Sequence, residues 1–405
     1  MANANHSDMA EHNGQLENGH SHPTEKPVED VKTKYTWGTW IIERFNWSYF
    51  TCTQSTGGIA IALSECPKQF DGLQTIGLIV FIFNIVLFLF FTSLMITRWT
   101  LKPSKFKECF TSPPECYFYP PFWLTVATII ICMQRYGVSH AGPWLIVAIR
   151  VCFWIYAAVV FLSSVIHIVV LCKHTPVQAI QMNPAWFLLI FYVMLVGTVA
   201  GSIAMSQPPH HRIPIIVAGV AYQGVGWIVS LLFFPWYMAV LFEKGWPDPS
   251  QRPGLFMPIG SVGYTIIALI GCARAAPAGY GYFADPVATQ VVVIMATWAS
   301  IFMWLFALWI FGLAFCISVA EIVVRKEGRW TMPMSFKNSW WAMIFPNVGF
   351  AIGTAFIGQE LQSNAIAWVA TSMIILLVTF WLFDLALMCK TIYISLFRDS
   401  RIKLS

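Results

Sequence analysis

The chain has 405 residues, of which 57% are hydrophobic and 11% are charged, and it carries a formal net charge of +5. This composition is too apolar for an ordinary soluble domain of that length, and it indicates an integral membrane protein. The positive balance does not predict nucleic-acid binding, because no stacking module or basic domain accompanies it.

Three regions follow one another along the chain. Residues 1–40 are polar and contain no apolar core, which predicts a disordered cytoplasmic tail. The histidines of this tail leave a metal-binding tract as the alternative interpretation. Residues 41–396 are predicted to form an all-α membrane domain for transport, and residues 397–405 are predicted to form a short basic cytoplasmic tail.

Ten transmembrane helices are predicted in the central region, since a hydrocarbon core of about 30 Å requires roughly 20 apolar residues per helix. Most Lys and Arg residues lie on the side of the predicted membrane that holds both termini. Because basic residues near span ends stay in the cytoplasm, both termini are predicted to be cytoplasmic. The spans cover about 47–65, 74–97, 119–136, 143–172, 184–205, 213–242, 254–275, 287–324, 339–360 and 364–396.

The spans alternate in composition along the chain. Odd-numbered spans carry Pro, Gly, hydroxyl and amide groups inside the apolar run, whereas even-numbered spans consist mostly of Leu, Ile, Val, Phe and Trp. Hydrocarbon offers no partner to a polar group, so the odd spans are expected to be shielded from lipid. We therefore predict five helical hairpins in which the odd helices line a central pore and the even helices face the bilayer.

Small polar side chains on the odd spans are candidates for lining that pore. Neutral hydroxyls and amides can solvate a carboxylate without trapping it, as conduction requires. The alternative interpretation is that these groups bond to their own helix carbonyls or tie helices together. The candidates are Gln54, Ser55 and Thr56 on span 1, Thr125, Thr128 and Gln134 on span 3, Ser261 and Thr265 on span 7, and Asn347 on span 9.

Two arginines, Arg135 and Arg274, end odd spans on the outer side of the predicted membrane. A guanidinium group can bind a carboxylate through two parallel hydrogen bonds. We therefore predict that these arginines form an outer ring of positive charge that receives an anion. The alternative is an interfacial arginine that extends its charged head into water.

Enzyme signatures are missing from the sequence, which contains no nucleotide-binding Gly-rich loop, no HExxH and no G-x-S-x-G. We therefore predict that the protein is not an enzyme and uses no cofactor or metal. Without a nucleotide site, transport is not expected to be driven by ATP within this chain.

Four segments carry a family resemblance. They read WSYFT with STGG at 47–58, PPE with YPPFW at 113–123, FMPIG at 256–260, and WWAMIFP at 340–346. These segments resemble the tellurite-resistance/dicarboxylate transporter family, most of all its fungal malic acid transporters, also called C4-dicarboxylate transporters. Fungal sulfite efflux pumps, a bacterial tellurite-resistance channel homologue and plant slow anion channels are more distant in this resemblance.

The resemblance implies ten helices in five hairpins and a homotrimer with one pore per subunit. In the anion-channel members, a Phe on the ninth helix, just before its Pro, closes the pore. Phe345 and Pro346 occupy that motif here, so the resemblance implies that they form the gate. A rotamer change of the ring would open the path without any rearrangement of the backbone.

The leading prediction for function is transport, mainly export, of malate and related C4 dicarboxylates such as succinate across the plasma membrane. An inside-negative potential of 100 mV favours export of a dianion by about 4.6 kcal/mol. Uptake would need proton coupling, for which Asp384 and Glu321 are the available membrane acids. The alternatives are efflux of sulfite or another small anion and, in a different class, a membrane receptor or scaffold.

Overall fold

The structure of the protein is a computed structural model that describes residues 37–175, 182–320, 324–326, 329–331 and 336–398. Its α-helices are α1 (Trp37–Glu43), α2 (Phe50–Ser64), α3 (Leu73–Leu101), α4 (Ser104–Thr111), α5 (Pro120–Cys132), α6 (Trp144–His174), α7 (Leu188–Ile203), α8 (Pro209–Lys244), α9 (Met257–Arg274), α10 (Pro286–Val319), α11 (Phe345–Glu360) and α12 (Asn364–Tyr393). Two short strands, β1 (Val324–Lys326) and β2 (Arg329–Thr331), pair antiparallel.

Within the described residues, nine helical segments are long and apolar enough to cross a membrane. They correspond to the second through the tenth predicted spans, and they make the protein a multi-pass helical membrane protein. The first predicted span corresponds to α2, which has 15 residues and carries polar side chains through its first half. It therefore does not reach the length and apolarity of the other nine.

The spans form two layers. In α7, α9 and α11, 89% or more of the most apolar window is buried inside the protein, against 22–33% in α3, α6, α8, α10 and α12. The segment that contains α5 is intermediate at 61%, and 14 of the 15 residues of α2 are buried. The helices built with polar groups are therefore the inner ones, as their composition predicts.

The inner helices form a closed ring in the described part of the chain. Each packs on the next, in the order α2, α5, α7, α9, α11 and back to α2. The outer helices α3, α6, α8, α10 and α12 lie over the seams between them: the first four each join an inner helix to the next one in sequence, and α12 joins α11 to α2. We call α2, α5, α7, α9 and α11 the inner ring.

Glycines bring the inner helices into backbone contact. A Cβ atom at Gly263 on α9 would lie 2.5 Å from the carbonyl carbon of Gly349 and from the amide nitrogen of Phe350 on α11. Gly271 on α9 meets Gly201 on α7 in the same way, with its hypothetical Cβ 3.1 Å from the Gly201 Cα. Small residues allow this approach, which replaces hydrophobic driving force as the source of helix association in lipid.

The structure corrects several predicted boundaries. Helix α1 begins at Trp37, so the predicted tail boundary at residue 40 falls inside a helix. The helix of the eighth span, α10, ends at Val319 instead of 324, and a short strand pair follows it in an otherwise helical fold. The segment 98–118, between the second and third predicted spans, contains the end of α3, the whole of α4 and a 3₁₀ turn. Residues 1–36 and 399–405, which hold the predicted histidine tract and most of the C-terminal tail, lie outside the described residues.

Replacement of Gly263 by Ala should loosen the inner ring. The added methyl group would collide with backbone atoms of α11, which cannot rotate away as a side chain can. Overpacking of this kind costs typically about 1–3 kcal/mol. We therefore expect a lower unfolding temperature of the purified protein in detergent.

The matched control is Gly312→Ala on the outer helix α10, where an added Cβ meets no atom within 4 Å. Ala is favoured over Gly in a helix, so this variant should unfold at the same temperature or a slightly higher one. Equal destabilisation by both substitutions would contradict the role assigned to the contact between α9 and α11.

Candidate functional site

A vestibule of about 940 Å³ opens where all five inner helices begin. Each inner helix is preceded by a 3₁₀ turn: Trp47–Tyr49, Glu115–Phe118, Pro184–Phe187, Arg252–Phe256 and Asn338–Met343. Residues from all five of these approaches line the vestibule. The inner helices therefore run in the same direction, and the partial positive charges of their N-termini surround one space.

Ionised side chains add to the field of the vestibule. Lys105 donates a 2.6 Å hydrogen bond to Glu108, and this bond holds the pKa of the Glu108 carboxyl group below its usual range. Lys244 and Lys337 also line the vestibule, and neither has a carboxylate within 4 Å among the described residues. Among the acidic residues that line the vestibule in the described chain, Asp248 has no ion pair.

Arg98 neutralises another acidic residue of the vestibule. It is buried on α3, and its two terminal nitrogens donate to the two carboxylate oxygens of Glu115, one of them at 3.0 Å. Its Nε also donates to the backbone oxygen of Ile42 at 3.3 Å. The pair removes a negative charge from the mouth and joins α3 to the approach of α5.

Phe345 lies beyond the vestibule, at the first residue of α11. Its ring is fully buried and lies 4.9 Å from the ring of Tyr264, measured between centroids. On α2, a Cβ at Gly58 would stand 3.2 Å from the Phe345 ring, so the absence of a side chain there makes room for it. The Tyr264 hydroxyl donates to the Phe345 backbone oxygen at 3.0 Å. Pro346 lies in the first turn of α11, where a missing N–H removes no helical hydrogen bond.

A second cavity lies on the far side of Phe345. It measures about 10 Å³, which is close to the minimum for one water molecule. Every inner helix contributes to its wall, which consists of Ile61, Glu65, Thr128, Ile131, Leu195, Thr198, Ser202, Tyr264, Ile267, Val348, Ile352 and Phe356. On each inner helix these residues follow those that border the vestibule, so the closed segment between the two spaces contains Phe345.

Most of the predicted hydroxyls bond to carbonyls of their own helix, as the alternative interpretation holds. The acceptors are Cys52 for Thr56, Pro121 for Thr125, Thr125 for Thr128, Pro258 for Ser261 and Ser261 for Thr265. Each of these hydroxyls donates its single proton to a backbone carbonyl, so it can act only as an acceptor toward a third group.

Two of these hydroxyls face the outer layer, which corrects the prediction that they line the pore. Thr56 accepts a 3.0 Å hydrogen bond from Trp381 on α12. Thr265 accepts a 2.7 Å hydrogen bond from Gln223 on α8. Thr128 is the member of the predicted set that borders the narrow cavity.

Other candidates hold the inner ring together or remain unpaired near the gate. Thr125 shares a 2.8 Å hydrogen bond with Thr53 on α2, and Ser55 donates to the backbone oxygen of Trp341 at 3.2 Å. The amide oxygens of Gln54 and Asn347 are buried and have no hydrogen-bond partner among the described residues. An unpaired amide oxygen at this depth can accept a hydrogen bond from a passing water molecule.

The two predicted arginines are both paired, so they do not form a ring of free positive charge. Arg135 forms an ion pair with Glu65, which follows α2. Arg274 donates from Nε to Glu360 at 2.5 Å, and its guanidinium lies 4.8 Å from the ring centroid of Phe356. The structure places both arginines at the C-terminal ends of inner helices, and the sequence prediction missed their two acidic partners.

Neighbouring amides complete the contacts of this mouth. Arg274 also donates to the side-chain oxygen of Gln359 at 2.8 Å. Gln134 lies in the π-helical turn after α5 and accepts a 3.0 Å hydrogen bond from Ser206. The candidate acid Asp384 is buried on α12, borders neither space, and has no partner for either oxygen in the part of the chain that the structure describes. Glu321 lies outside that part.

Comparison with known proteins identifies similar chains. The voltage-dependent anion channel family, SLAC1, matches residues 44–389. The malic acid transport protein of Schizosaccharomyces pombe is 32% identical over 87% of this chain and 80% of that protein. A putative malic acid transport protein of the same organism is 28% identical, with 87% and 81% covered. The sulfite efflux pump of Arthroderma otae is 26% identical, with 86% and 91% covered.

Replacement of Arg98 by Met should destabilise the protein by leaving Glu115 unpaired at the edge of the vestibule. Loss of one partner from a fully buried ion pair costs about 3–5 kcal/mol, and the cost should be smaller here because Glu115 is partly exposed. The double variant Arg98→Met/Glu115→Gln should recover much of this loss. Unfolding temperatures in detergent measure both effects.

Lys102→Met is the control for this pair, since Lys102 lies 3.7 Å from Glu43 with both side chains about half exposed. Exposed pairs contribute at most about 1 kcal/mol, so little change is expected. A double variant no more stable than Arg98→Met alone would show that packing, and not the charge of Glu115, determines the effect.

Proposed function

The chain belongs to the SLAC1 family of voltage-dependent anion channels, and we propose that it exports malate and related C4 dicarboxylates along the axis of its inner ring. Family membership makes it an anion transporter or channel and not an enzyme. Two relatives named as malic acid transport proteins support this substrate class. The path is supported by one observation: vestibule, Phe345 and narrow cavity follow one another through all five inner helices.

Ten helices cross the membrane in this proposal. Helix α2 has 15 residues, and the turn Trp47–Tyr49 extends it at the vestibule end. We place the vestibule and both termini in the cytoplasm, since most Lys and Arg residues cluster on that side. The protein acts in the plasma membrane as a homotrimer with one pore per subunit, as the family resemblance implies.

The gate in this proposal is the ring of Phe345. Tyr264 holds the backbone oxygen of this residue, and Gly58 leaves space beside its ring. The side chain can therefore change rotamer while α11 stays in place. Rotation of the ring would join the vestibule to the narrow cavity.

Electrostatics favours an anion that enters from the vestibule. Five helix N-termini attract negative charge there, and so do Lys244 and Lys337, which have no carboxylate partner among the described residues. An inside-negative potential then favours outward movement of a dianion by about 4.6 kcal/mol per 100 mV. Asp384 borders neither space, which supports electrogenic release over proton symport.

Efflux of sulfite is the second candidate function. Sulfite efflux pumps are among the relatives, at 26–27% identity to this chain. The small size of the cavity beyond Phe345 also suits a compact anion. The same path and gate would serve either substrate.

Voltage-clamp recording of cells that express the protein tests the proposal, with malate, sulfite or chloride as the permeant anion inside. We expect outward malate flux that changes with voltage and does not respond to external pH. Sulfite flux without malate flux would favour the second candidate. Malate flux that requires a proton gradient would replace electrogenic release with symport.

Replacement of Phe345 by Ala should raise anion current at least severalfold, because it removes the ring that separates the two spaces. Current is measured per molecule at the cell surface, so that a change in protein abundance does not enter the comparison. A Phe345→Ala current no larger than that of the parent would refute the gate.

Phe350→Ala is the matched control on the same helix. The Phe350 ring is also buried, but it packs on Trp304 of the outer layer, with centroids 5.6 Å apart. This substitution removes a buried ring of the same size and should not raise the current. An equal rise in both variants would indicate general loosening of the ring of helices.

A further inference from the structure

Two ion pairs lie at the C-terminal mouth of the inner ring, and each contains a carboxylate group like those of the proposed substrate. Each consists of an arginine at the end of one inner helix and a carboxylate at the end of its neighbour: Arg135 with Glu65, and Arg274 with Glu360. We propose that Glu65 and Glu360 are internal competitors, which a dicarboxylate displaces from the two arginines during its exit. This inference rests on the proposed function and names the residues that set its affinity for dicarboxylates.

One ion pair borders the narrow cavity, and the other contacts its wall. Glu65 is part of its wall, and so is Phe356. The guanidinium of Arg274 lies over the Phe356 ring and donates to the Phe356 backbone oxygen at 3.2 Å. An anion that passes Phe345 and enters this cavity therefore reaches the two pairs next.

The exposure of these pairs permits exchange. The Arg135 side chain is 32% exposed and the Arg274 side chain 26%, whereas the Arg98 side chain in the structural pair with Glu115 is 4% exposed. Water can therefore reach the two guanidinium groups, whose partners Glu65 and Glu360 are 12% and 19% exposed. Exchange of one carboxylate for another keeps the same kind of hydrogen bonds on each guanidinium, and the displaced glutamate must turn toward water.

Glu65 and Glu360 would also speed the release of the anion from the arginines. A free arginine would hold a carboxylate by a charge-assisted bidentate bond, and conduction requires binding that is weak enough for the anion to leave. An internal carboxylate competes for the arginine, so it lowers the apparent affinity for the anion. It also promotes dissociation of the anion by forming the ion pair again. Two pairs match the two carboxylates of a C4 dianion, whereas a monoanion can displace only one.

The test is the concentration dependence of flux in Glu65→Gln and Glu360→Gln variants, with malate and with chloride. Removal of a competitor should lower the KM for malate about two- to fivefold, the range expected for loss of a partly exposed ion pair. The maximal malate flux should fall, since release becomes slower, and the KM for chloride should change less.

Removal of the charge of the arginine should cancel the decrease in the KM for malate. In the double variants Arg135→Gln/Glu65→Gln and Arg274→Gln/Glu360→Gln, we expect the weak malate affinity of the corresponding Arg→Gln single variant. Glu43→Gln is the control, because it removes a carboxylate from an exposed ion pair with Lys102 that borders neither space. Its KM should equal that of the parent.

A KM for malate that stays unchanged or rises in both Glu→Gln variants would overturn the proposal. Equal loss of malate and chloride flux would overturn it too, because it would show that the ion pairs only hold the helices together. If Glu65→Gln does not reach the membrane, Glu65→Asp keeps the charge on a shorter side chain and should lower the KM by a smaller factor. Absence of malate flux in the parent would instead overturn the proposed function, so the two failures are distinguishable.

Discussion

Close approach of the inner helices at glycine residues is the interaction on which the rest of the structure depends. Four of the five seams of the inner ring have a glycine against the neighbouring helix: Gly57 against Thr128, Gly58 against Phe345, Gly201 against Gly271, and Gly263 against Gly349. Lipid supplies little hydrophobic drive for helix association, so this close packing must hold the ring. The same contacts bring Phe345 and Tyr264 onto the axis, where larger side chains at the glycine positions would keep them apart.

The charges along the axis follow from the direction of the inner helices. Their N-termini surround the vestibule, which favours an anion, whereas their C-termini would repel one at the opposite mouth. Arg135 and Arg274, each paired with a glutamate, lie at the ends of α5 and α9, and in the exchange that we propose Glu65 and Glu360 keep these arginines from binding an anion permanently. The arrangement gives attraction at one mouth and moderated affinity at the other.

The layered architecture could be predicted from the sequence because lipid exposure constrains composition directly, and odd and even spans differ visibly. Phe345 could be identified because the motif of Phe before Pro marks it in the resemblance. The orientation of single hydroxyls could not be predicted: Thr265 faces α8, since the rotation of a fully buried helix is set by packing and not by its own apolar stripe. The partners of the arginines were also missed, although Glu65 and Glu360 are the last residues of two predicted odd spans, at the same depth as Arg135 and Arg274.

The common direction of the inner helices has a consequence for the shape of the current. The path is wide at one end, with about 940 Å³, and narrow at the other, with about 10 Å³, and the backbone dipoles point along it in one sense. Such a path is a rectifier: at equal and opposite voltages, in identical solutions, it should pass unequal currents. This asymmetry originates in the peptide groups themselves, so it would persist through substitution of any one ionisable side chain along the axis.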